Sequence, residues 1–544
     1  MICEGSFMKR IITLLIAAST LFFACNQNHQ EKNKEKKSKK ISKRDYSISK
    51  ENAYNDLFLD SMDVASYISK NSIPDSISRR IISFYNTRNY EFAWFSSDGI
   101  TEQAMGFTSL LNFTKDTSAR KKKLEKIMVE LMGEDSLYLS AKDKSTVNTE
   151  LLLTENLINY SLQNFEKGYV KRKEVERFIP FKKLDPLELS DSLLNKKHKD
   201  EKYFADINKP YKLLSDQLRR YVEIAKAGGW PSIDSTHVKA FKAGDSSLQI
   251  LSLKKVLALT GDLPQADTTS AFDDNLKQGI MNFQIRFGYT ADGKVTKRLL
   301  QQINVPVTDR IKQILINMNR MRWLPQEPEG KLIVVNIPAF LLHVYNGTNT
   351  VFSMPVVVGK EGHNTILFSD MLTTIVFSPY WNVPPSIVKK EIVPAMEKDP
   401  NYLETNNMEI TKEVDGLPVV RQKPGPENSL GKVKFLFPNS FNIYFHDTPA
   451  KSLFDKDVRA YSHGCIRLKE PEKMADYLLQ EDPNWTPEKI NETMNSDEEK
   501  YVKLKDPVPV FITYYTAWVD ENGKLNFRDD IYGHDKEVAT KMFL

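Results

Sequence analysis

The pattern of hydrophobic and polar residues divides the chain into a helical part and a strand-rich part. Across residues 51–245 apolar side chains recur at mixed three- and four-residue spacing, most clearly in Ser145–Phe165, which is the period of amphipathic helices. After residue 330 the pattern changes to short apolar runs bounded by turns, as in Lys331–Asn336 and Val351–Val358, and such runs indicate strands. The chain is therefore predicted to be a multidomain α+β protein.

Aromatic residues are concentrated in one part of the helical region. They are Phe84, Tyr85, Tyr90, Phe92, Trp94 and Phe95. Large aromatic side chains in such a cluster are predicted to pack in a core. Residues 51–245 carry no catalytic constellation, so they are predicted to form a helical scaffold domain.

A smaller unit follows the scaffold. Over residues 246–305 apolar side chains recur with helical period around the turn Thr290–Gly293, which predicts a compact three-helix module. Residues 306–330 end in the Pro/Gly-rich stretch Pro325–Gly330 and are interpreted as a linker.

Residues 331–535 are predicted to form the β-rich domain, with one long excursion over 381–435. The excursion contains a helical part at Ser386–Lys398 and a Pro/Gly-rich arm. Long insertions in compact β domains often form lids or substrate walls. The excursion is therefore predicted to be a lid inserted into this domain.

Composition describes ordinary globular material, and the charge distribution argues against nucleic-acid binding. The 544 residues are 41% hydrophobic and 27% charged, which excludes collagen-like, disordered and multi-span membrane classes. The net charge is +5, but residues 26–50 alone carry +6 and residues 1–25 carry +1, so the body carries −2. No nucleic-acid partner is expected, and the lysine-rich run 26–50 is interpreted as a solvated tether.

The N-terminus predicts export. Lys9 and Arg10 precede the apolar run Ile11–Phe23, which is too short to span a bilayer but suits a signal peptide. The run ends at Leu21-Phe22-Phe23-Ala24-Cys25, which resembles the lipobox of bacterial lipoproteins. Residues 1–25 are thus expected to be a lipoprotein signal with Cys25 lipidated, and a plain secretory signal is the alternative. The resemblance implies a periplasmic, membrane-anchored protein, with outer-membrane delivery favoured by Asn26.

Cysteine content singles out one thiol. Of Cys3, Cys25 and Cys465, the first is removed with the signal and the second is acylated. A lone thiol in an oxidising compartment is either buried or used. His446 lies nineteen residues upstream at a strand end, where it is a candidate base for Cys465, and Gly464 lets the backbone approach an oxyanion.

A helix is predicted to begin just after the nucleophile. Glu470-Pro471-Glu472 opens an apolar pattern that includes Met474 and Leu478, and proline suits the first helical turn. The N-terminus of this helix is expected to favour the thiolate of Cys465.

The segment Ser462-His463-Gly464-Cys465-Ile466-Arg467, preceded by His446-Asp447-Thr448-Pro449, resembles the signature of L,D-transpeptidases of the YkuD type. Further matches are Val357–Lys360, Tyr380–Pro384 and Pro424–Gly431. Together with the helical region, they resemble the large YcbB-like subclass. Phe283-Gln284 followed by Gly288 resembles the peptidoglycan-binding domain of wall enzymes. The resemblance implies a helical scaffold, a three-helix wall-binding module and a β-rich catalytic domain with a lid.

This resemblance implies acyl transfer on peptidoglycan tetrapeptide stems. Cys465 would attack the carbonyl of the third residue, release D-alanine and form a thioester, which an amine of a second stem resolves into a 3→3 cross-link. His446 would be the general base, oriented by a backbone carbonyl such as that of Asp447. Gly464 and Cys465 would supply oxyanion donors, and His463 would line the pocket.

The other candidate site residues are assigned to substrate binding. They are Ser462, Arg467, Trp381, Asn382 and Asp447. Arg467 would hold a substrate carboxylate or brace its loop by a salt bridge, and Trp381 and Asn382 would line the donor cleft or serve packing. The Asp447 carboxylate is not required for the chemistry. The resemblance also implies inhibition by carbapenem-type compounds.

Several other functions are open at this stage. A papain-like peptidase places Cys before His, and a sortase-like enzyme separates His and Cys by a longer stretch. His446, His463 and Cys465 lack a fourth ligand at zinc-site spacing, so neither metal nor cofactor is expected. An L,D-carboxypeptidase and a lipid-anchored wall-binding protein without activity are the alternatives to transpeptidation.

Overall fold

A computed structural model describes residues 41–113, 118–132, 138–165, 179–195, 208–234, 241–264, 269–324, 330–439 and 441–544. The predicted signal peptide, Cys25 and most of the tether lie outside the described residues. Among the helices that the structure describes, none is long and apolar enough to cross a membrane.

The N-terminal part is helical apart from one short hairpin. Its helices are α1 Ser61–Lys70, α2 Asp75–Asn86, α3 Glu102–Asn112, α4 Ala119–Met132, α5 Lys144–Phe165, α6 Pro186–Leu193 and α7 Lys209–Lys226. Strands β1 Phe95–Ser96 and β2 Gly99–Ile100 form the hairpin. Side chains cap several helices, as Thr101 does by accepting the N–H of Ala104, which satisfies a donor that the helix leaves unpaired.

The predicted aromatic cluster lies in the core of this region. Tyr85, Phe92, Trp94 and Phe95 are fully buried. Trp94 stacks on Phe107 with ring centroids 5.3 Å apart. The prediction that these rings pack rather than bind a ligand is confirmed.

Three helices follow, at the place where the three-helix module was predicted. They are α8 Leu248–Thr260, α9 Asp274–Phe287 and α10 Lys297–Ile303. Gly261 and Gly288 end α8 and α9 with φ of 82° and 71°, a left-handed conformation that glycine adopts without strain. Buried Arg286 pairs with Asp262 inside the unit and donates to the carbonyl of Leu525 at 2.5 Å. The unit is thereby packed against the C-terminal part of the chain.

The predicted linker 306–330 is wrong over most of its length. Residues Val307–Met321 form helix α11, which is buried along one face. Trp323 follows α11 and packs on Gly106 of α3, where an added Cβ would lie 2.7 Å from the indole. The segment is amphipathic, and its apolar face packs in the helical core. The proline and glycine residues at 325–330, on which the linker prediction rested, do not show whether the residues before them are buried.

The β-rich region is built around a nine-stranded sheet that closes on itself. Its strands are β3 Lys331–Asn336, β4 Leu341–Asn346, β5 Asn349–Gly359, β6 Phe368–Phe377, β10 Val433–Leu436, β11 Phe445–His446, β12 Ala460–Ser462, β13 Ile466–Leu468 and β14 Lys500–Thr513. The order is β12-β5-β13-β11-β10-β6-β14-β3-β4, and β4 also pairs with β5. Inward-pointing residues such as Val356, Ile375 and Phe435 form the buried core.

Other elements cover this sheet or join it to the helical region. A 3₁₀ turn spans Lys451–Asp455, and helices α15 Pro471–Leu479 and α16 Pro487–Met494 follow β13. Strands β15 Ala517–Val519 and β16 Leu525–Phe527 precede helix α17 His534–Met542. Phe527, Val538 and Met542 pack in the helical core. The predicted boundary at 535 is therefore wrong, because the chain returns to the helical core from about residue 517 onward.

The insertion is a separate small layer with its own core. It contains β7 Trp381–Asn382, α12 Pro385–Ile387, a π-helix at Val388–Ile392, α13 Val393–Lys398, α14 Tyr402–Thr405, β8 Met408–Val414 and β9 Leu417–Gln422. Strands β7, β9 and β8 form a three-stranded sheet. The predicted end at 435 is wrong, since β10 belongs to the main sheet.

The last part of the predicted tether packs on the scaffold. Ile48 is buried, the N–H of Asp45 donates to the carbonyl of Asn86 at 2.9 Å, and Arg44 lies over the ring of Tyr90. Residues 41–50 therefore belong to the folded body, because one buried apolar side chain, backbone hydrogen bonding and a cation–π contact hold them against α2 and the turn that follows it.

Candidate active site

The candidate site is on the outer face of the closed sheet, where two short parallel strands meet. Strands β11 and β13 pair in parallel, with Phe445 opposite Ile466 and His446 opposite Arg467. Phe445, Ile466 and Leu468 point into the core. Because side chains alternate across a strand, the residues between them point outward. The outward set is Tyr444, His446, Cys465 and Arg467.

His446 is buried and held in one orientation. Its Nδ1 lies 2.5 Å from the carbonyl oxygen of Asp447, so this nitrogen carries the proton and donates, and Nε2 is left as the basic nitrogen. Burial and the neighbouring Arg467 guanidinium lower the pKa of His446 to about 3. The imidazole is therefore neutral near pH 7, which is the form a general base requires.

Cys465 is partly exposed at the surface, with its sulfur among backbone groups. Its Sγ donates to the carbonyl of Asn442 at 3.5 Å. Burial of the sulfur raises the pKa of Cys465 to about 11. The expectation that the following helix favours the thiolate is therefore wrong: α15 begins at Pro471, and desolvation of the sulfur dominates. Near pH 7 the outward face therefore carries a neutral thiol at Cys465 and a neutral imidazole at His446.

This resting state predicts an unusual pH dependence. Alkylation of Cys465 by iodoacetamide should still rise between pH 9 and pH 10, where an ordinary thiol of pKa about 8.5 is already mostly ionised. The rate is measured on the full chain as a function of pH, with the modified peptide identified by mass spectrometry. A plateau below pH 8 would contradict the raised pKa of Cys465.

Tyr444 was missed by the sequence analysis. Its hydroxyl is hydrogen-bonded to the Cys465 sulfur, and burial together with Cys465 raises the pKa of Tyr444. The phenol is therefore a neutral donor beside the reacting atom. The sequence contains a signal for it. Side chains of successive strand residues point to opposite faces, so with Phe445 in the core Tyr444 and His446 lie on the same outer face.

The loop before Cys465 depends on Ser462 and Gly464. The buried hydroxyl of Ser462 donates to the carbonyl of Cys465 at 2.5 Å and accepts the N–H of Gly464 at 3.2 Å. Gly464 has φ of 115°, which only glycine adopts readily. Ser462 thus closes the loop, and the Gly464 N–H, which was predicted to be an oxyanion donor, is bound by the Ser462 hydroxyl. The assignment of Ser462 to the pocket lining stays a prediction. Among the described residues no acceptor binds the Cys465 N–H.

Asp447, assigned above to substrate binding, has a carboxylate that is bound within the protein by two donors. Its buried carboxylate accepts the N–H of Lys432 at 2.9 Å and the Nζ of Lys451 at 2.6 Å. An added Cβ on Gly431 would lie 2.4 Å from this carboxylate. Asp447 therefore fixes the loop that carries the carbonyl for His446, and its assignment to substrate binding stays a prediction.

Arg467 lies beside both reacting groups without an acidic partner. Within the parts of the chain that the structure describes, no ion pair joins its guanidinium to a carboxylate, and its buried Nε has no hydrogen-bond acceptor. Burial lowers the pKa of Arg467. Of the two alternatives left open, the structural salt bridge is not seen among these residues, so the guanidinium is available to an anionic ligand.

His463 points to the lid. Its Nε2 lies 3.1 Å from a carboxylate oxygen of Glu391, and its ring packs edge-on against His363 with centroids 4.9 Å apart. Glu391 belongs to the π-helix of the lid, and such one-turn π segments often occur at functional sites. The structure thus places His463 between the nucleophile loop and the lid, not in contact with Cys465.

The Glu391–His463 contact should keep the lid closed. Glu391→Gln is expected to increase hydrogen exchange of residues 385–405 several-fold, because a charge-assisted contact is replaced by a weaker neutral one. Mass-spectrometric hydrogen exchange measures this, with Glu404→Gln on the same lid as the matched control. Equal protection in wild type and Glu391→Gln would show that the contact does not hold the lid.

Trp381 and Asn382 lie at the base of the lid. They pair with Gln422 and Arg421 in the small sheet, and Trp381 packs against the lid core of Val383 and Val420. No contact joins either residue to Cys465 among the described residues. Their assignment to the donor cleft remains a prediction, and the structure gives Trp381 a packing role.

A buried ion pair fixes the chain where it enters the lid. Glu499 accepts the backbone N–H of Tyr380 at 2.9 Å and lies 3.5 Å from Lys434. Lys434 is in register with His446 on the neighbouring strand. The start of the lid is therefore attached to strand β10, which pairs with the strand that carries His446.

The described residues hold no cluster of three or more His, Cys, Asp and Glu side chains that could bind a metal ion. The arrangement that they do hold is a thiol, a neutral imidazole, a phenol and a guanidinium on one face. These groups can activate a nucleophile, stabilise a developing oxyanion and bind a carboxylate.

Comparison with known proteins assigns two regions. Residues 330–510 match the family model of the L,D-transpeptidase catalytic domain, YkuD, and residues 79–218 match that of a scaffold domain. A putative L,D-transpeptidase of Haemophilus influenzae is 32% identical over 243 residues, which are 42% of this chain and 49% of the relative. The chain thus spans about half the length of the curated relative that it matches.

Solved structures show weaker likenesses. An L,D-transpeptidase from Stackebrandtia nassauensis has 16% identity and a TM-score of 0.23, covering 52% of this chain and 96% of that one. One from Mycobacterium smegmatis has 15% identity and a TM-score of 0.20, covering 35% and 59%. The assignment rests on the family match and not on these superpositions. Residues 330–510 are therefore similar to the L,D-transpeptidase catalytic domains of the YkuD family.

Proposed function

We propose that the protein is a peptidoglycan L,D-transpeptidase that forms 3→3 cross-links through a thioester on Cys465. The observation that carries the proposal is the placement of Cys465 and His446 on one face of paired strands β11 and β13. The catalytic-domain match over residues 330–510 supports the same chemistry.

In the first half-reaction the thiol of Cys465 loses its proton to Nε2 of His446 as sulfur attacks the carbonyl carbon of the third stem residue. The oxyanion that forms is positioned to accept hydrogen bonds from the Cys465 N–H and the Tyr444 hydroxyl. When the intermediate collapses, the C–N bond to D-alanine breaks and His446 returns its proton to the leaving amine. A thioester remains.

In the second half-reaction an amine of another stem attacks the thioester carbonyl. His446 takes one proton from the attacking nitrogen and returns it to the Cys465 sulfur as the C–S bond breaks. The products are a new amide and the free thiol, so atoms and protons balance without a cofactor. Water in place of the amine would give hydrolysis.

Arg467 is proposed to hold a carboxylate of the donor stem. Arg467→Gln is expected to raise KM about tenfold or more, with a smaller effect on kcat. The reason is that the variant loses one charge-assisted hydrogen bond to the substrate, which contributes about 1.5–3 kcal/mol to binding. Steady-state kinetics with the tetrapeptide substrate measures this. Arg459→Gln is the matched control, since Arg459 contacts the Phe340 ring and backbone carbonyls. A KM equal to that of the wild type would show that Arg467 does not bind the substrate carboxylate and would favour a role in stabilising its loop.

The test of the function is product analysis. The full chain in detergent, as wild type and Cys465→Ala, is incubated with a disaccharide-tetrapeptide, and products are weighed by mass spectrometry. A dimer with loss of one D-alanine, absent in the variant, supports transpeptidation. Monomer that only loses D-alanine indicates an L,D-carboxypeptidase, and no change indicates a wall-binding protein without activity.

The remaining proposals concern location and partners. Lipidation at Cys25 would anchor the protein to a membrane on the periplasmic side, and residues 246–305 would bind peptidoglycan. Both rest on sequence resemblance. Loss of fatty-acid labelling in Cys25→Ala tests the anchor, and pull-down on purified cell wall tests binding. Acylation of Cys465 by a carbapenem, visible as an intact-mass increase, is a further expectation of the proposed function.

A further inference from the structure

A ring of hydrogen bonds surrounds the peptide group that precedes the nucleophile. The hydroxyl of Thr365 accepts the N–H of Gly359 at 3.0 Å and donates to the carbonyl of Gly464 at 2.8 Å. The hydroxyl of Tyr532 donates to the carbonyl of Gly359 at 2.6 Å and accepts the N–H of Thr365 at 3.3 Å. Thr365 is buried. Two hydroxyls thus join Gly359, Thr365 and Gly464 in one rigid unit.

The Gly464 carbonyl and the Cys465 N–H belong to the same peptide group. The described residues contain no cis peptide bond, and in a planar trans peptide the C=O and N–H point in opposite directions. Binding the carbonyl to Thr365 therefore aims the Cys465 N–H to the opposite side. Gly464 has no Cβ, so its own dihedral angles restrict the direction of this carbonyl only weakly, and the hydrogen bond from Thr365 is a contact that fixes it.

We infer that Thr365 is a positioning residue that orients the Cys465 N–H as an oxyanion donor, with Tyr532 holding Thr365 in place. The inference deepens the proposed function and rests on it for its biological meaning. The Gly464 N–H is bound to Ser462, so of the two predicted backbone donors the Cys465 N–H is the one left to bind an oxyanion.

Tyr532 contributes to these hydrogen bonds from outside the region that matches the catalytic-domain family, which ends at residue 510. The backbone N–H of Tyr532 donates to the Tyr514 hydroxyl at 2.9 Å. Three residues later Asp535 pairs with Arg320 of α11 at 2.5 Å, and Arg320 also binds Glu102 of the scaffold. The segment that supports the nucleophile loop is therefore attached to the helical region.

The experiment compares two reactions of the full chain that need no peptidoglycan. Acylation of Cys465 by p-nitrophenyl acetate builds a tetrahedral oxyanion and releases p-nitrophenol, whereas displacement of iodide from iodoacetamide builds none. Thr365→Val is expected to slow acylation about 10²-fold, the typical effect of losing one oxyanion donor, and to leave alkylation at Cys465 unchanged. Thr365→Ser should restore acylation.

The matched control is Thr513→Val. The buried Thr513 hydroxyl donates to the Val335 carbonyl at 2.8 Å in the same sheet but away from the site, so its loss should change neither reaction. Equal losses of acylation and alkylation in Thr365→Val would mean general disorder of the loop and overturn the inference, and so would unchanged acylation.

Tyr532→Phe is the second variant and decides the matter if Thr365→Val fails to fold. It should slow acylation several-fold with alkylation unchanged, and an unchanged acylation rate would overturn the inference. Because neither reagent resembles a stem peptide, these outcomes are independent of whether the chain cross-links peptidoglycan. A protein that shows the expected pattern but makes no dimer would refute the proposed function alone.

Discussion

Cys465→Ala is expected to abolish transpeptidation, with a fall in kcat of at least about 10⁴-fold, comparable to removal of a nucleophile in other acyl-transfer enzymes. The methyl group cannot form the thioester. Of the described hydroxyls nearby, that of Ser462 is bound to the carbonyl of Cys465, and that of Tyr444 belongs to a phenol whose pKa is raised. Product formation from disaccharide-tetrapeptide measures the loss.

The fold should survive this change. The sulfur makes weak contacts, to the carbonyl of Asn442 at 3.5 Å and to the Tyr444 hydroxyl, so the free energy of unfolding should change by about 1–2 kcal/mol. Thermal unfolding of the variant is the control. Cross-linking at the wild-type rate in a folded Cys465→Ala protein would refute the assignment of the nucleophile.

His446→Ala is expected to lower the rate of Cys465 acylation by about 10²- to 10⁴-fold, the usual contribution of a general base. The effect should be large here because burial raises the pKa of Cys465 to about 11, so very little thiolate exists at neutral pH without a base. Pre-steady-state appearance of the acylated protein, followed by intact mass, gives the rate.

His343→Ala is the matched control for this variant. His343 bonds Ser353 at 2.6 Å on strands β4 and β5, and the pKa of His343 is likewise lowered by burial. It should acylate at the wild-type rate. If His446→Ala did so as well, the role of base would pass to another group.

The wild-type pH profile follows from the sign of the His446 shift. A base whose pKa is lowered to about 3 stays unprotonated as pH falls through 6.5, where an ordinary histidine would gain a proton. Acylation should therefore show no acid limb near pH 6.5.

Periodicity predicted the two halves of the fold, because helical and strand spacing are local properties of the sequence. The confirmed prediction is a helical N-terminal region followed by a β-rich catalytic domain. The predicted linker failed at α11, since proline and glycine at 325–330 mark where a helix stops and not whether the preceding residues are buried. The boundary at 535 failed because the chain returns to a core formed by residues several hundred positions earlier.

The sequence predicted the parts of the site whose chemistry depends on the residue type alone. A lone thiol, an upstream histidine and an adjacent glycine are visible in the sequence. Asp447 and Ser462 were predicted to bind substrate. In the structure the Asp447 carboxylate accepts hydrogen bonds from Lys432 and Lys451, and the Ser462 hydroxyl donates to the carbonyl of Cys465. Hydrogen-bond partners are set by tertiary contacts, so the sequence could not separate a ligand-binding polar residue from a bracing one.

By itself the sequence determined the α+β division and the candidate nucleophile and base, because local periodicity and rare reactive residues carry that information. Tertiary structure alone decided that Tyr444 shares the face of Cys465, that Glu391 of the lid meets His463, and that Tyr532 supports Thr365. It also decided the protonation of the pair: a thiol expected to ionise beside a helix is neutral, since desolvation depends on what surrounds the sulfur and not on its neighbours in the chain.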